Sequence, residues 1–163
     1  VIPTFSVATP GDAAILLSLI RELAEFERLS HEVVGTEDDL RHSLFGPTRF
    51  AESLIARVDG EVAGFALYFH NFSTFLCRPG IHLEDLYIRP AFRGHGVGRR
   101  LLLDVARIAS ERGCGRLEWS VLNWNRRAIE FYESMGARPV DGWTVYRLDR
   151  AALDQIRLTH PGT

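Results

Sequence analysis

Cysteine is scarce in this chain of 163 residues: Cys77 and Cys114 are the two. Neither lies in a CxxC motif or beside a histidine at metal spacing, which excludes a disulfide or zinc framework and makes the cytoplasm the expected compartment. Long apolar runs are missing as well. The longest, such as Ala13 to Leu17, fall far short of the ~20 residues of a membrane-spanning helix, and the start carries no basic, apolar, small-residue signal pattern. No membrane partner is expected. An excess of one charge is also absent: 19 basic against 21 acidic residues leave a net charge of −2, and the pI is near 6.3. That removes the global attraction to nucleic acid, so no nucleic-acid partner is expected.

Hydrophobic residues at 46% and charged residues at 25% describe an ordinary globular chain. A chain of this size buries roughly 68–70% of its unfolded surface, enough for a full core, and the expectation is one domain over residues 1–163. Ile2 to Ala8 is β-prone, and Thr9-Pro10-Gly11-Asp12 then breaks it, with Asp12 as a helix N-cap. Ile15, Leu16, Leu19, Ile20, Leu23 and Phe26 recur at helical spacing, with Arg21, Glu22, Glu25 and Arg28 on the other face. Thr36 and Asp39 form a capping-box-like start to a shorter helix that stops at Gly46-Pro47.

Ser53 to Val58 and Glu61 to Phe69 read as two antiparallel strands around Asp59-Gly60, a pair suited to a type I′ turn. A loop from Asn71 to Gly80 leads to a strand at Ile81 to Ile88. A glycine loop then opens a helix that ends at Gly113. Arg116 to Leu122 reads as a buried strand, Arg126 to Ser134 as a helix with Gly136 at its end, Thr144 to Leu148 as a last strand and Ala151 to Ile156 as a short helix. The hairpin is antiparallel and the strand–helix–strand unit around the glycine loop is parallel, so the expected class is α/β with a mixed sheet.

Arg93-Gly94-His95-Gly96-Val97-Gly98 is the most informative stretch. Three alternate glycines between a strand and a helix remove the Cβ atoms that keep a ligand off the backbone, and the N–H groups at the helix start attract phosphate. The dinucleotide fingerprint GxGxxG fails because position 99 is Arg, and the P-loop fails because Gly98 is followed by Arg99-Arg100. A tight turn without a ligand is the bland alternative. His95 reads as a variable loop position, and the other five histidines have no metal spacing, so no metal is expected.

The hexapeptide RxxGxG resembles the pyrophosphate-binding signature of the GNAT superfamily of N-acetyltransferases. Glu84-Asp85-Leu86-Tyr87-Ile88 looks like the strand before that loop, and Asn125 with Phe131-Tyr132 and Gly136-Ala137 looks like the family's N…FY…GA segment. Glu22 to Glu27, Thr36 to Leu40, Leu83-Glu84-Asp85 and Trp124-Asn125 resemble the diamine (spermidine/spermine) acetyltransferase branch. The resemblance implies a mixed, mostly antiparallel central sheet flanked by helices. It also implies acetyl-CoA as cosubstrate, a small-molecule amine as acceptor and a homodimer.

Carried over residue by residue, it assigns the thioester and pantetheine to backbone N–H groups of Leu86, Tyr87 and Ile88. It assigns the pyrophosphate to Arg93, Gly94, His95, Gly96, Val97, Gly98 and Arg99, with Asn125 also on the cofactor. Tyr132 becomes the acid that protonates the departing thiolate, and Glu84 the acceptor of the amine's proton. Glu27, Glu84 and Asp85 become the groups that bind the cationic substrate. Acyl transfer to an amine needs a neutral amine, a polarised carbonyl and a proton for the thiolate, and these residues answer those needs. In a regular strand Glu84 and Asp85 point to opposite faces, so one serves catalysis while the other attracts the substrate.

The loop from Asn71 to Gly80 departs from the branch: it holds no carboxylate and carries Arg78. A long polycation thereby loses ground to a diamine or a thialysine-like amino acid. Acetylation of a protein or peptide amine, and a non-catalytic acyl-CoA-binding domain, remain as alternatives.

Overall fold

The computed structural model describes residues 2–160 and 162. Two compact units divide the chain, Val1–Ser120 and Val121–Thr163.

The first unit is built on one five-stranded sheet in the order β1-β2-β3-β4-β5, with β1 Pro3–Val7, β2 Glu52–Val58, β3 Glu61–Ser73, β4 Arg78–Ile88 and β5 Leu117–Glu118. The first three pairings are antiparallel and β4 with β5 is parallel, as the hairpin and the strand–helix–strand unit require. Asp59 and Gly60, at φ 51° and 86°, both occupy the left-handed region that a type I′ turn demands.

Helix α1, Ala13–Phe26, and α2, Glu37–Phe45, supply Leu16, Leu19 and Leu44 to a core that holds Ile55, Phe65, Leu67 and Tyr87 of the sheet. Complete burial of such a side chain contributes about 1.5–3 kcal/mol. Helix α3, Val97–Glu111, buries Val97, Leu101, Leu102, Val105 and Ala109, the stripe its apolar spacing sets out, and contacts β2, β3 and β4. The Thr36–Asp39 capping box forms: Thr36 N and Oγ1 donate to Asp39 Oδ2 at 2.9 and 2.7 Å, and Asp39 N donates back to Thr36 Oγ1 at 3.2 Å.

Four local expectations change. Asp12 does not cap α1 with its side chain; its carboxylate accepts from Thr9 N and Oγ1 at 2.8 Å and from Arg57 at 2.9 Å, so long-range pairing to β2 captures it. The loop from Asn71 to Gly80 contracts to Thr74–Cys77, because β3 and β4 continue their ladder as far as Ser73 and Arg78. The strand at Arg116 to Leu122 shrinks to Leu117–Glu118 and is half-buried.

The fourth change lies in the second unit. Its helices are α4, Arg126–Ser134, and α5, Arg150–Thr159; α5 starts on Asp149, whose Oδ1 accepts from Ala152 N at 2.9 Å. Residues 144–148 form no strand, and Val145 and Tyr146 are exposed. A β-prone pentapeptide becomes a strand only where another strand accepts its ladder, and the described residues of 121–163 include none.

Candidate functional site

The glycine loop reaches α3 through two left-handed residues. Gly94 and Gly96 stand at φ 83° and 79°, a conformation costing an L-residue about 1–2 kcal/mol, and a Cβ at either would meet no atom within 4 Å. Both point into open space. Gly98 is different: its Cβ would lie 3.4 Å from Ile88 Cγ1, so this glycine lets the helix start close against the end of β4. Arg100 N donates to Gly96 O at 3.0 Å. Among the described residues, the N–H groups from His95 to Arg99 find no backbone acceptor, leaving a cluster of donors at the positive end of a helix.

The arginines around the loop divide their work. Arg93 Nε donates to Ile88 O at 2.7 Å, and its guanidinium lies over the rings of Phe26 and Tyr87 at 5.1 and 5.6 Å. It ties the loop to the end of α1 and to β4. Arg100 pairs with Asp104 at 3.3 Å and covers Phe5. Arg99 has no side-chain partner among the described residues. His95 Nδ1 lies 2.9 Å from Arg93 O, a contact internal to the loop.

The strand before the loop is irregular in two ways. Leu67 pairs with Asp85 and Tyr68 with Leu83, so Glu84 is an extra residue with no partner on β3, a β-bulge. The bulge removes the regular alternation that would part Glu84 from Asp85. By register, Asp85 and His82 pair with Leu67 and Phe69, which lie two apart on β3, so both share the face where α1 and α2 pack. The ladder to β5 also stops at His82. Beyond it the β5-side edge of β4 has no strand partner among the described residues, so Leu86, Tyr87 and Ile88 are paired there with β3 alone, opposite Ala66, Phe65 and Gly64.

Three carboxylates converge beside this edge. Burial, then Glu84 and then Glu27 push Asp85 up to about 7, and every one of these influences raises it. Burial also raises Glu27, the residue that ends α1. Glu84 is more exposed and has His82 Nε2 at 3.6 Å from its Oε2. A cationic group placed here would be attracted by three acids, and it would favour the charged form of Asp85 that burial and its neighbours disfavour.

In the second unit, Asn125 is the N-cap of α4, its Oδ1 accepting from Ala128 N at 3.2 Å. The far end of the helix closes in a Schellman motif. Ala137 N donates to Tyr132 O at 3.2 Å and Gly136 N to Glu133 O at 3.0 Å, with Gly136 at φ 89°. The N…FY…GA segment is therefore one helix with both caps, presenting Phe131 and Tyr132 with ring centroids 5.4 Å apart.

The structure thus brings Glu27, Glu84 and Asp85 together, and separately assembles residues 93–99; Asn125 and Tyr132 belong to the other unit. Among the described residues no group of three His, Cys, Asp or Glu could hold a metal ion. Sequence reasoning missed two residues of the first unit. Arg89 makes a two-pronged contact with Glu22 and donates to Val62 O, and His82 lies next to Glu84. For His82 the available signal was spacing, since residues two apart in a strand share a face; for Arg89 the partner is 67 residues away and no local signal exists.

Comparison with known proteins adds the following. The acetyltransferase (GNAT) family profile matches residues 17–137. A thialysine N-epsilon-acetyltransferase of Bos taurus is 39% identical over 160 residues, covering 91% of this chain and 94% of that protein. An L-ornithine N5-acetyltransferase of Arabidopsis thaliana is 32% identical and covers 92% and 86%. Among solved structures, an integron cassette protein from the mobile metagenome of V. cholerae superposes with a TM-score of 0.79 at 25% identity, over 94% of this chain and 96% of that one.

Proposed function

The chain belongs to the acetyltransferase (GNAT) family and is an N-acetyltransferase of small-molecule amines; on that footing we propose acetyl-CoA as the donor and a diamine, polyamine or thialysine-like amino acid as the acceptor, joined by direct attack in a ternary complex. The observation that carries the acceptor class is the convergence of Glu27, Glu84 and Asp85, with Asp85 held near neutrality until a cation arrives. The relatives named for thialysine and ornithine acetylation support an amino acid with a side-chain amine. So does the hairpin tip, where Phe72, Phe75 and Leu76 are exposed and no carboxylate stands between Asn71 and Gly80.

The residues fit coenzyme A. The unclaimed N–H groups from His95 to Arg99, the open space beside Gly94 and Gly96, and the uncommitted Arg99 suit a diphosphate, and the free edge of β4 at Leu86 to Ile88 suits an extended amide-bearing arm. Arg93 serves this site through its hold on Ile88 O and on Phe26. When bound, acetyl-CoA supplies the activated acetyl carbonyl. Asp85 and Glu27 hold the substrate's ammonium groups, and Glu84 takes a proton from the attacking nitrogen so that its lone pair becomes available. Tyr132 Oη donates the proton that the sulfur needs, and Asn125 fixes the start of the helix that carries Tyr132.

Both units form parts of one acetyltransferase domain over residues 1–163, a reading supported by a family match that runs across their boundary. A cytoplasmic setting fits two free cysteines and the lack, among the described residues, of a helix long and apolar enough to cross a membrane. A homodimer completes the proposal. The test is coenzyme A release against thialysine, ornithine, diaminopropane, spermidine and a lysine-containing peptide. Turnover greatest with the small amines is expected; preference for the peptide, or none with any amine despite acetyl-CoA binding, would overturn the reading.

A further inference from the structure

A base that takes a proton from each incoming ammonium must lose it again before the next turnover. Glu84 stands in the bulge of β4, with His82 Nε2 3.6 Å from Oε2, longer than a hydrogen bond and within reach of one by a small side-chain rotation or through a water. The imidazole is held in place: Phe69, its partner on β3, stacks on it at 5.1 Å with the planes 31° apart. Its side chain is 27% exposed, so one position touches both the site and solvent.

The charged groups that face His82 come from three elements. On its own strand Glu84 is adjacent, and Asp85 follows past the bulge. On β5 its register partner is Glu118, whose charge is already engaged by Arg116 Nε at 2.9 Å and approached by Asn71 Nδ2 at 3.5 Å. From α1, Glu27 acts on Asp85. Asn71, on β3, brings no charge.

We propose that His82 is the proton outlet of the amine site: it accepts at Nε2 the proton that Glu84 has taken from the substrate's ammonium and releases it to solvent. This rests on the reading of Glu84 as the base. The ammonium loses one proton to the Glu84 carboxylate, the carboxylic acid passes it to neutral imidazole, and the imidazolium gives it to water or buffer, so Glu84 is regenerated as the anion. His82 acts through Glu84 and is a positioning and relay residue. Imidazole suits the task because it can accept a proton at one ring nitrogen and pass it on.

The experiment compares His82→Ala, His82→Gln and Glu84→Gln with the unaltered chain, using thialysine and acetyl-CoA, with kcat referred to the protein fraction that binds acetyl-CoA. Both His82 variants should lose about 10-fold in kcat, less than the ~10²–10⁴ of a group acting in the transition state, with KM for the amine changed by less than about twofold. Added imidazole should restore kcat in His82→Ala, while pyrazole, of the same shape but scarcely basic, should not. An unchanged kcat in both variants, or a loss that imidazole does not recover, overturns the relay. Glu84→Gln separates the two claims. If it leaves turnover intact, the base reading falls and takes the relay with it; if it alone is impaired, the base stands and the relay falls.

Discussion

Arg89 grips Glu22 with two nitrogens, Nε at 3.0 Å from Oε2 and NH2 at 2.7 Å from Oε1, while its NH1 donates to Val62 O at 2.9 Å. This joins the end of β4, where the glycine loop begins, to the middle of α1, which Glu27 caps at its C-terminus. The start of the glycine loop and the end of α1 are thus braced by one ion pair, and Arg93 repeats the brace by lying over Phe26 and Tyr87.

The brace has a pH signature. The hydrogen bonds from Arg89 hold Glu22 below the ordinary carboxylate range, against a smaller opposing effect of burial. A carboxyl depressed in the folded state contributes stability that is complete above its unfolded value and is lost as pH falls through the folded one. Arg89→Ala should therefore cost about 1–3 kcal/mol at pH 7, since Glu22 is left half-buried without its partner, and the deficit should shrink as the pH is taken down toward 3. Thermal melts across that range measure it.

Asp85 has the opposite sign. Its carboxyl is raised to about 7 by burial first, then by Glu84 and Glu27, so the folded chain keeps a proton that the unfolded chain releases near pH 4, and stability falls as the pH rises between these values. Asp85→Asn should stabilise the protein by about 1–2 kcal/mol at pH 8, roughly 2–8 °C in Tm, with no gain below pH 4. KM of the unaltered enzyme for the amine should fall as the pH passes 7, and the same change should raise KM and abolish that fall.

Gly96→Ala tests the loop. The added methyl meets no protein atom within 4 Å, so any steric cost appears only with a ligand, beyond the about 1–2 kcal/mol that a left-handed alanine costs the fold. Acetyl-CoA affinity, read by calorimetry on folded protein, should drop by about tenfold or more. Unchanged affinity would remove the loop from the coenzyme site.

Tyr132→Phe keeps the ring contact with Phe131 and removes only the hydroxyl. Turnover should fall by about 10²-fold, the size of a general-acid contribution, while acetyl-CoA affinity stays as it was. Equal turnover in the two proteins would strip Tyr132 of the acid role.

Much of this protein is written locally. The apolar stripes of α1 and α3 follow from helical spacing, the β2–β3 turn from Asp59-Gly60, the start of α2 from Thr36 and Asp39, and the loop into α3 from Arg93 to Gly98. In each case the interacting residues are a few positions apart, so the short-range chemistry is visible in the chain. Glu27, Glu84 and Asp85 could be named as candidates for the same reason: their residue types and motif positions are sequence facts.

Tertiary structure decided what those residues face. The bulge at Glu84 exists only because β3 and β4 slip by one residue against each other, and that slip, invisible in either strand alone, brings neighbouring acids together where alternation would separate them. The end of the β4–β5 ladder at His82 opens the strand edge, and the recruitment of Asp12 by Arg57, of Glu22 by Arg89 and of Arg93 by two rings depends on partners far away in sequence. Residues 144–148 carry a strand's composition without a strand, since a ladder needs a second chain segment to receive it. Sequence by itself fixed the short-range elements and the chemical inventory; long-range pairing, through register and burial, decided which carboxyl is raised, which arginines are held by partners and which side chain stands beside Glu84.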